Sequence, residues 1–253
     1  MKKKFFTGII AGALVAAMCV GFAACGGAEG TLKGVQATTA TKIVQTRGDS
    51  DATETRVLDG DKVQYVSVKY KNDSSGNRYV DTYLEYLFYK EGDTVKLAIK
   101  KNDPKTWMPK ESSEYEYFLE NGEYVEGTDD EFKTAYSSRT VKEVYESYRS
   151  EFEISGEKLG DTLDSAKEYY AEKGGKLLSE KQEDGTVKIQ FQALLAGRGI
   201  LVPIYTWGVK DKKLVYRVNH VLGDNYTQYN YSYDAETITV PTKITPATPA
   251  KED

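Results

Sequence analysis

The chain has 253 residues, a formal net charge of −5, 2 cysteines and 1 histidine. Its acidity is a poor electrostatic match for nucleic acid or for anionic lipid headgroups. So few cysteines and histidines exclude a thiolate-rich or imidazole-rich metal centre.

Lys2, Lys3 and Lys4 precede an uncharged apolar run from Phe5 to Ala24, which closes on Phe22-Ala23-Ala24-Cys25-Gly26. A basic start, an apolar core and small residues before a cleavage point describe a secretory signal. A run of about 20 apolar residues is also long enough to span a bilayer, but the small residues at its end favour cleavage. Cys25 after two alanines resembles the bacterial lipobox, with Phe22 where that pattern usually carries Leu. The resemblance implies that residues 1–24 are removed and that Cys25 carries a diacylglyceryl group. It also implies an extracytoplasmic domain anchored to the bacterial cell membrane. Cys19 fits worse, because Met18 precedes it. With Cys19 cleaved off and Cys25 acylated, the mature chain keeps no thiol and no disulfide. It is also more acidic, since three lysines leave with the signal, so attachment rests on acyl chains and not on a basic patch.

Residues 25–37 read as the acylated cysteine and a flexible tether, because Gly26 to Gly34 is small, Gly-rich and aperiodic. Residues 242–253, with Pro246 and Pro249, read as a loose tail. One domain over 38–241 is the simplest partition between them.

Within that domain, apolar and polar residues alternate as in strands with one face inward and one in water. Leu84, Tyr86 and Phe88 form one such row, less cleanly than the others. Val95, Leu97 and Ile99 form a second, and Val187, Ile189 and Phe191 a third. Leu214, Tyr216, Val218 and His220 form a fourth, and Tyr229, Tyr231 and Tyr233 a fifth. Glu91-Gly92-Asp93, Asp184-Gly185, Asp211-Lys212 and Gly223-Asp224 mark reversals. Asn121-Gly122 reads as a two-residue hairpin turn between extended segments. Closely spaced hairpins give an antiparallel meander, since parallel crossovers need a dozen or more residues.

Helices are expected only in mid-chain. Thr140 with Glu143 forms a capping box, followed by Val141, Val144, Tyr145, Tyr148 and Phe152 at helical spacing. Thr128 with Glu131 opens a shorter helix carrying Phe132 and Tyr136. A third runs from Thr162 to Lys173, burying Leu163, Ala166, Tyr169 and Tyr170 and stopping at Gly174-Gly175. The expected fold is mainly β (α+β): a curved antiparallel meander sheet or half-open barrel, with two or three central helices across its concave face.

The order lipobox, meander, central helices, second meander and a closing Tyr229-Asn230-Tyr231-Ser232-Tyr233 then Ile238-Thr239-Val240-Pro241 resembles bacterial lipoproteins of the LolA/LppX/LprG type. That family has a half-open β-barrel with a helical lid over an apolar cavity, so the resemblance implies lipid binding or lipoprotein handling. The family's N-terminal helix has no counterpart here, because Gln36 to Gln45 is Thr-rich and looks extended. No family site residue is carried over.

No residue set forms a catalytic signature, and no cofactor or metal is expected. His220, on the apolar side of its strand by alternation, reads as a hydrogen-bonded core residue before it reads as a base or ligand. Asp129-Asp130-Glu131 reads as a helix start, where carboxylates meet free N–H groups, and Asp49, Asp51, Asp59 and Asp61 as solvated turns without EF-hand order. Gly197-Arg198-Gly199 lacks the third glycine and the βαβ context of a dinucleotide site. Around it, Leu194, Leu195, Ile200, Leu201, Val202 and Ile204 put apolar residues at a reversal, either as strand ends in the core or as the rim of a cavity. All 20 tyrosines follow the signal; on strands they suit a half-buried sheet, and on a surface they suit sugar stacking.

The expected function is therefore non-enzymatic: a membrane-anchored lipoprotein binding a lipid or other apolar ligand. Its expected lining residues are Leu84, Phe88, Leu97, Tyr145, Tyr148, Leu201 and Trp207. The alternative is a surface interaction module for glycans or envelope proteins.

Overall fold

A computed structural model describes residues 27–103, 108–129, 139–194, 199–221 and 225–247. The signal, Cys25, the expected helix beyond Asp129, Gly197-Arg198 and the Gly223-Asp224 reversal lie outside the described residues.

In chain order the elements are α1 (Ala28–Lys33), β1 (Lys42–Arg47), β2 (Ser50–Asp59), β3 (Lys62–Asn72), β4 (Arg78–Glu91) and β5 (Thr94–Lys101). Then come β6 (Met108–Pro109), α2 (Ser113–Asn121), β7 (Tyr124–Glu126), α3 (Val141–Glu151) and α4 (Gly156–Tyr169). β8 (Lys176–Lys181), β9 (Val187–Leu194), β10 (Leu201–Lys210), β11 (Lys213–His220), β12 (Tyr226–Ser232) and β13 (Ile244–Thr245) complete the chain. The fold is mainly β, with antiparallel meanders and mid-chain helices, as the alternation predicts. Among the described residues no helix is long and apolar enough to cross a membrane.

The chain divides into two compact units: a larger one of residues 39–153 and 223–253, and a smaller one of 1–38 and 154–222. In the larger unit the strand order is β12-β1-β2-β3-β4-β5-β7-β13, with β6 also pairing β4. All these pairs are antiparallel except β13 with β7. One face of this sheet carries Val63, Tyr65, Phe88 and Leu97, and α3 lies on it. Thr140 accepts from Glu143 N, and the Glu143 carboxylate accepts from Thr140 N, so the capping box is present. The first free N–H of α3, from Val141, donates to Asp129 Oδ1 at 2.8 Å. Val141, Val144, Tyr145 and Tyr148 are buried beneath the helix, the stripe that the spacing predicts.

The opposite face is not wet. Leu87, Ala98 and Val57 pack there with Ile238, and the half-buried Tyr124 and Ile244 close over them. Further along, Val68, Val80, Tyr83 and Met108 pack with Tyr115 and Phe118 of α2. The expectation of one face in water is thus corrected, and so is the loose tail from residue 242, because β13 adds a parallel strand to β7. The Asn121-Gly122 hairpin is corrected as well. Ser112 caps a helix there by accepting from Tyr115 N, and Glu114 and Glu116 favour its N-terminus. Asn121 is the last residue of that helix, not a turn.

In the smaller unit the order is β8-β9-β10-β11, all antiparallel. At the predicted reversal, Asp211 and Lys212, at φ 50° and 60°, make a two-residue turn between β10 and β11. Helix α4 begins six residues before Thr162, with Ser155 accepting from Lys158 N. It ends at Tyr169, and a short 3₁₀ turn follows to Lys173 before Gly174 at φ 59°. The tether expectation is corrected by α1, whose Leu32 is fully buried and which is followed by the buried Val35. Gly156 permits this packing, because a Cβ there would lie 2.2 Å from Lys33 O. The glycines that let α1 and α4 approach are therefore those of α4, Gly156 and Gly160, which face Lys33.

Candidate functional site

The expected lining residues separate into three groups. Phe88, Leu97, Tyr145 and Tyr148 come together: Phe88 and Leu97 are register partners on β4 and β5, and the two tyrosines descend from α3. The rings are in contact. Tyr148 stacks on Tyr65 at 5.3 Å and meets Phe88 edge-on at 5.8 Å. Tyr145 lies 6.3 Å from Phe88 and anchors by donating from its hydroxyl to Asp61 O at 3.0 Å. Rings at these separations leave no room for an acyl chain between them. Helix α3 therefore sits on filled core.

Leu201 and Trp207 belong to the smaller unit. Leu201 is exposed at the start of β10, whereas Trp207 is fully buried and stacks on Tyr205 at 5.5 Å. The buried Trp207 Nε1 finds no hydrogen-bond partner among the described residues. His220, also in this unit, is half-buried with Nε2 3.0 Å from Thr206 Oγ1. Burial, and then the charge of Lys188, lowers its pKa. Among the described residues no three His, Cys, Asp or Glu side chains converge as metal ligands. Cys25 lies outside the described residues.

Leu84 marks the third place. It shares the Phe88 face of β4 but sits at the end of the β4–β5 ladder, where Leu84 and Lys101 are the last register pair. Beyond that pair Asn102 takes over the pairing. Its Oδ1 accepts from Tyr83 N at 2.8 Å, and its Nδ2 donates to Asp81 O at 3.3 Å. A groove of about 500 Å³, open to solvent and with mainly apolar walls, lies here, lined by Thr82, Tyr83, Leu84, Lys101, Asn102 and Asp103. That volume falls within the range of small-molecule sites.

The floor is stiffened from behind by a polar network that the alternation did not reveal. Glu85 accepts from Tyr83 Oη at 2.6 Å, Tyr124 Oη at 2.7 Å and Gln64 Nε2 at 2.7 Å. Lys100 Nζ lies 3.3 Å from the same carboxylate and donates to Leu119 O at 2.9 Å. Burial pushes Glu85 up, but the bonds from Tyr124, Tyr83 and Gln64 and the charge of Lys100 outweigh it and hold the carboxyl below its ordinary value. Burial first, and then the Glu85 charge, pushes the Tyr83 hydroxyl up. Tyr83 is thus locked as a neutral donor, with its ring edge-on to Phe118 at 5.1 Å.

No family model and no curated protein matches this chain.

The groove can hold an apolar tail against Leu84 and set an anionic group near the exposed Lys101. Of the groove's lining, the sequence pattern points to Leu84 and not to Tyr83, Lys101 or Asn102. The one available signal was the break of strand pattern at Asn102-Asp103-Pro104, which ends the ladder.

Proposed function

We propose that this protein is an extracytoplasmic lipoprotein, anchored through Cys25, that binds an amphiphile with an apolar tail at the Leu84 groove and does not turn it over. The groove of about 500 Å³ beside Leu84 is the observation that supports this reading. Burial of an acyl chain gains roughly 0.8 kcal/mol per CH₂, and Lys101 supplies a cation for a phosphate or carboxylate head. The Asn102 clamp and the Glu85 network hold the groove's floor in place before ligand arrives, which lowers the ordering cost of binding.

The test is titration of the protein with N-phenylnaphthylamine, followed by displacement with a fatty acid and with a lysophospholipid. Saturable binding that weakens at least tenfold in Leu84→Arg, with an unchanged unfolding midpoint, supports the reading. Equal binding by Leu84→Arg and the parent protein removes the groove from it.

The packed rings beneath α3 favour a second reading, a rigid surface module for glycans or envelope proteins. It expects no saturable dye binding and retained affinity for cell-wall material.

A further inference from the structure

We infer that one end of the smaller unit is a membrane-contacting edge, built from Leu194 at the end of β9, Ile200 and Leu201 at the start of β10, and the end of α4, that rests in the same bilayer as the Cys25 lipid. The inference rests on the anchoring part of the function proposed above and is independent of the Leu84 groove.

The placement follows from helix direction. Helix α1 runs antiparallel to α4. At its C-terminal end the Lys33 carbonyl lies against Gly156, the first residue of α4. At its N-terminal end Glu29 forms an ion pair with Lys167, near the last turn of α4. That pair, and then Lys33, hold the Glu29 carboxyl down at about 2. Gly27, two residues after Cys25, therefore leaves the unit at the C-terminal end of α4. That end abuts the hairpin: the Tyr170 ring is 6.1 Å from Phe191, and a Cβ on Gly174 would sit 3.3 Å from Leu194 Cδ1. The anchor and the Leu194–Leu201 end of the β9–β10 ladder share one end of the unit. The other end carries the Asp211-Lys212 turn, where Gln36 N donates to Lys212 O at 2.9 Å.

Several of the described residues at the shared end are exposed and apolar where water would favour polar side chains. Leu194 and Leu201 are register partners at the last pair of the β9–β10 ladder. They are 39% and 42% exposed, and Ile200 beside them is 51% exposed. Val221, two residues beyond the Asn219 that pairs with Tyr205, leaves β11 at this same end and is 61% exposed. Tyr169, at the end of α4, is 72% exposed, and Lys173 Nζ lies 5.2 Å from its ring. Exposed aliphatic side chains flanked by Tyr and Lys match the depth profile of a bilayer interface, with aliphatic groups innermost and amphipathic ones at headgroup level. A chain of two residues spans only about 7 Å, so acylated Cys25 brings this edge to the membrane and no other end of the unit.

The test uses full-length protein made in a lipoprotein-processing host, purified from membranes and reconstituted into phosphatidylethanolamine–phosphatidylglycerol vesicles. A solvatochromic label is placed at Ile200→Cys and, as the far-end control, at Lys212→Cys. The expected result is a blue-shifted label at 200 that brominated acyl chains quench, and neither effect at 212. Adding Leu201→Asp abolishes the quenching while the protein still floats with the vesicles. An unshifted, unquenched label at 200 in protein that floats overturns the edge and leaves the anchor standing. Protein that does not float, with an unmodified Cys25 by intact mass, overturns both.

Discussion

Glu85 and Lys100 are direct cross-strand partners on β4 and β5, and their side chains, 2% and 5% exposed, meet at 3.3 Å in the interior of the larger unit. The pair survives burial because every strong partner is present. Two tyrosine hydroxyls and one amide also donate to the carboxylate, and the ammonium reaches a helix carbonyl as well. It ties the sheet to Leu119 of α2 and to Tyr124 of β7 at once. Removing Lys100 strands a buried carboxylate, so Lys100→Met is expected to destabilise the protein by roughly 3 kcal/mol. Urea unfolding of the variant against the parent measures this.

The same carboxylate sets an acid dependence. Its folded pKa lies below the ordinary glutamate value of 4.5, so the unfolded chain binds a proton more readily than the folded one. The stabilisation is complete above that ordinary value and is lost as pH falls below it, through the folded value. Thermal scans between neutral pH and the acid limb are expected to show a shallower fall for Glu85→Gln than for the parent.

Helix α3 can be loosened in two graded ways. Thr140→Ala removes the reciprocal cap and is expected to cost about 1 kcal/mol. Tyr148→Ala removes a ring stacked between α3 and the sheet and is expected to cost roughly 3–5 kcal/mol. Chemical denaturation of both variants tests the order of the two effects.

The β10–β11 turn holds two non-glycine residues at positive φ. Lys212→Gly relieves one of them and is expected to stabilise by about 0.5–1 kcal/mol. A higher unfolding midpoint at an unchanged denaturant slope is the expected outcome.

Much of the β framework was legible because alternation reports one buried face per strand. It puts Leu97 and Ile189 inward, and both are buried. The signal fails where a sheet is covered twice. Leu87 and Glu85, on the supposed wet side of β4, are among the most buried side chains, since Ile238, Ile244 and α2 arrive from distant sequence to cover them. The irregular alternation around Leu87 was the visible trace. Helix α2 was hidden by the turn propensity of Asn-Gly, although Ser112 followed by Glu114 and then Tyr115 and Phe118 carries a helix-start pattern. Helix α1 is hidden because it is short and Gly-rich, and what secures it is tertiary: the burial of Leu32 and its close approach to Gly156 of α4. The same limit applies to the groove: Leu84 shares its face with Phe88, and only the ladder's end separates an open wall from filled core.

The most direct measurement is native mass spectrometry with solvent extraction of the protein purified from its host membrane, parent beside Leu84→Arg. A diacylglyceryl group on Cys25 is expected in both, and one non-covalently held, extractable amphiphile in the parent that the variant lacks. A parent protein free of extractable lipid, or one whose lipid persists in Leu84→Arg, contradicts amphiphile binding at the Leu84 groove.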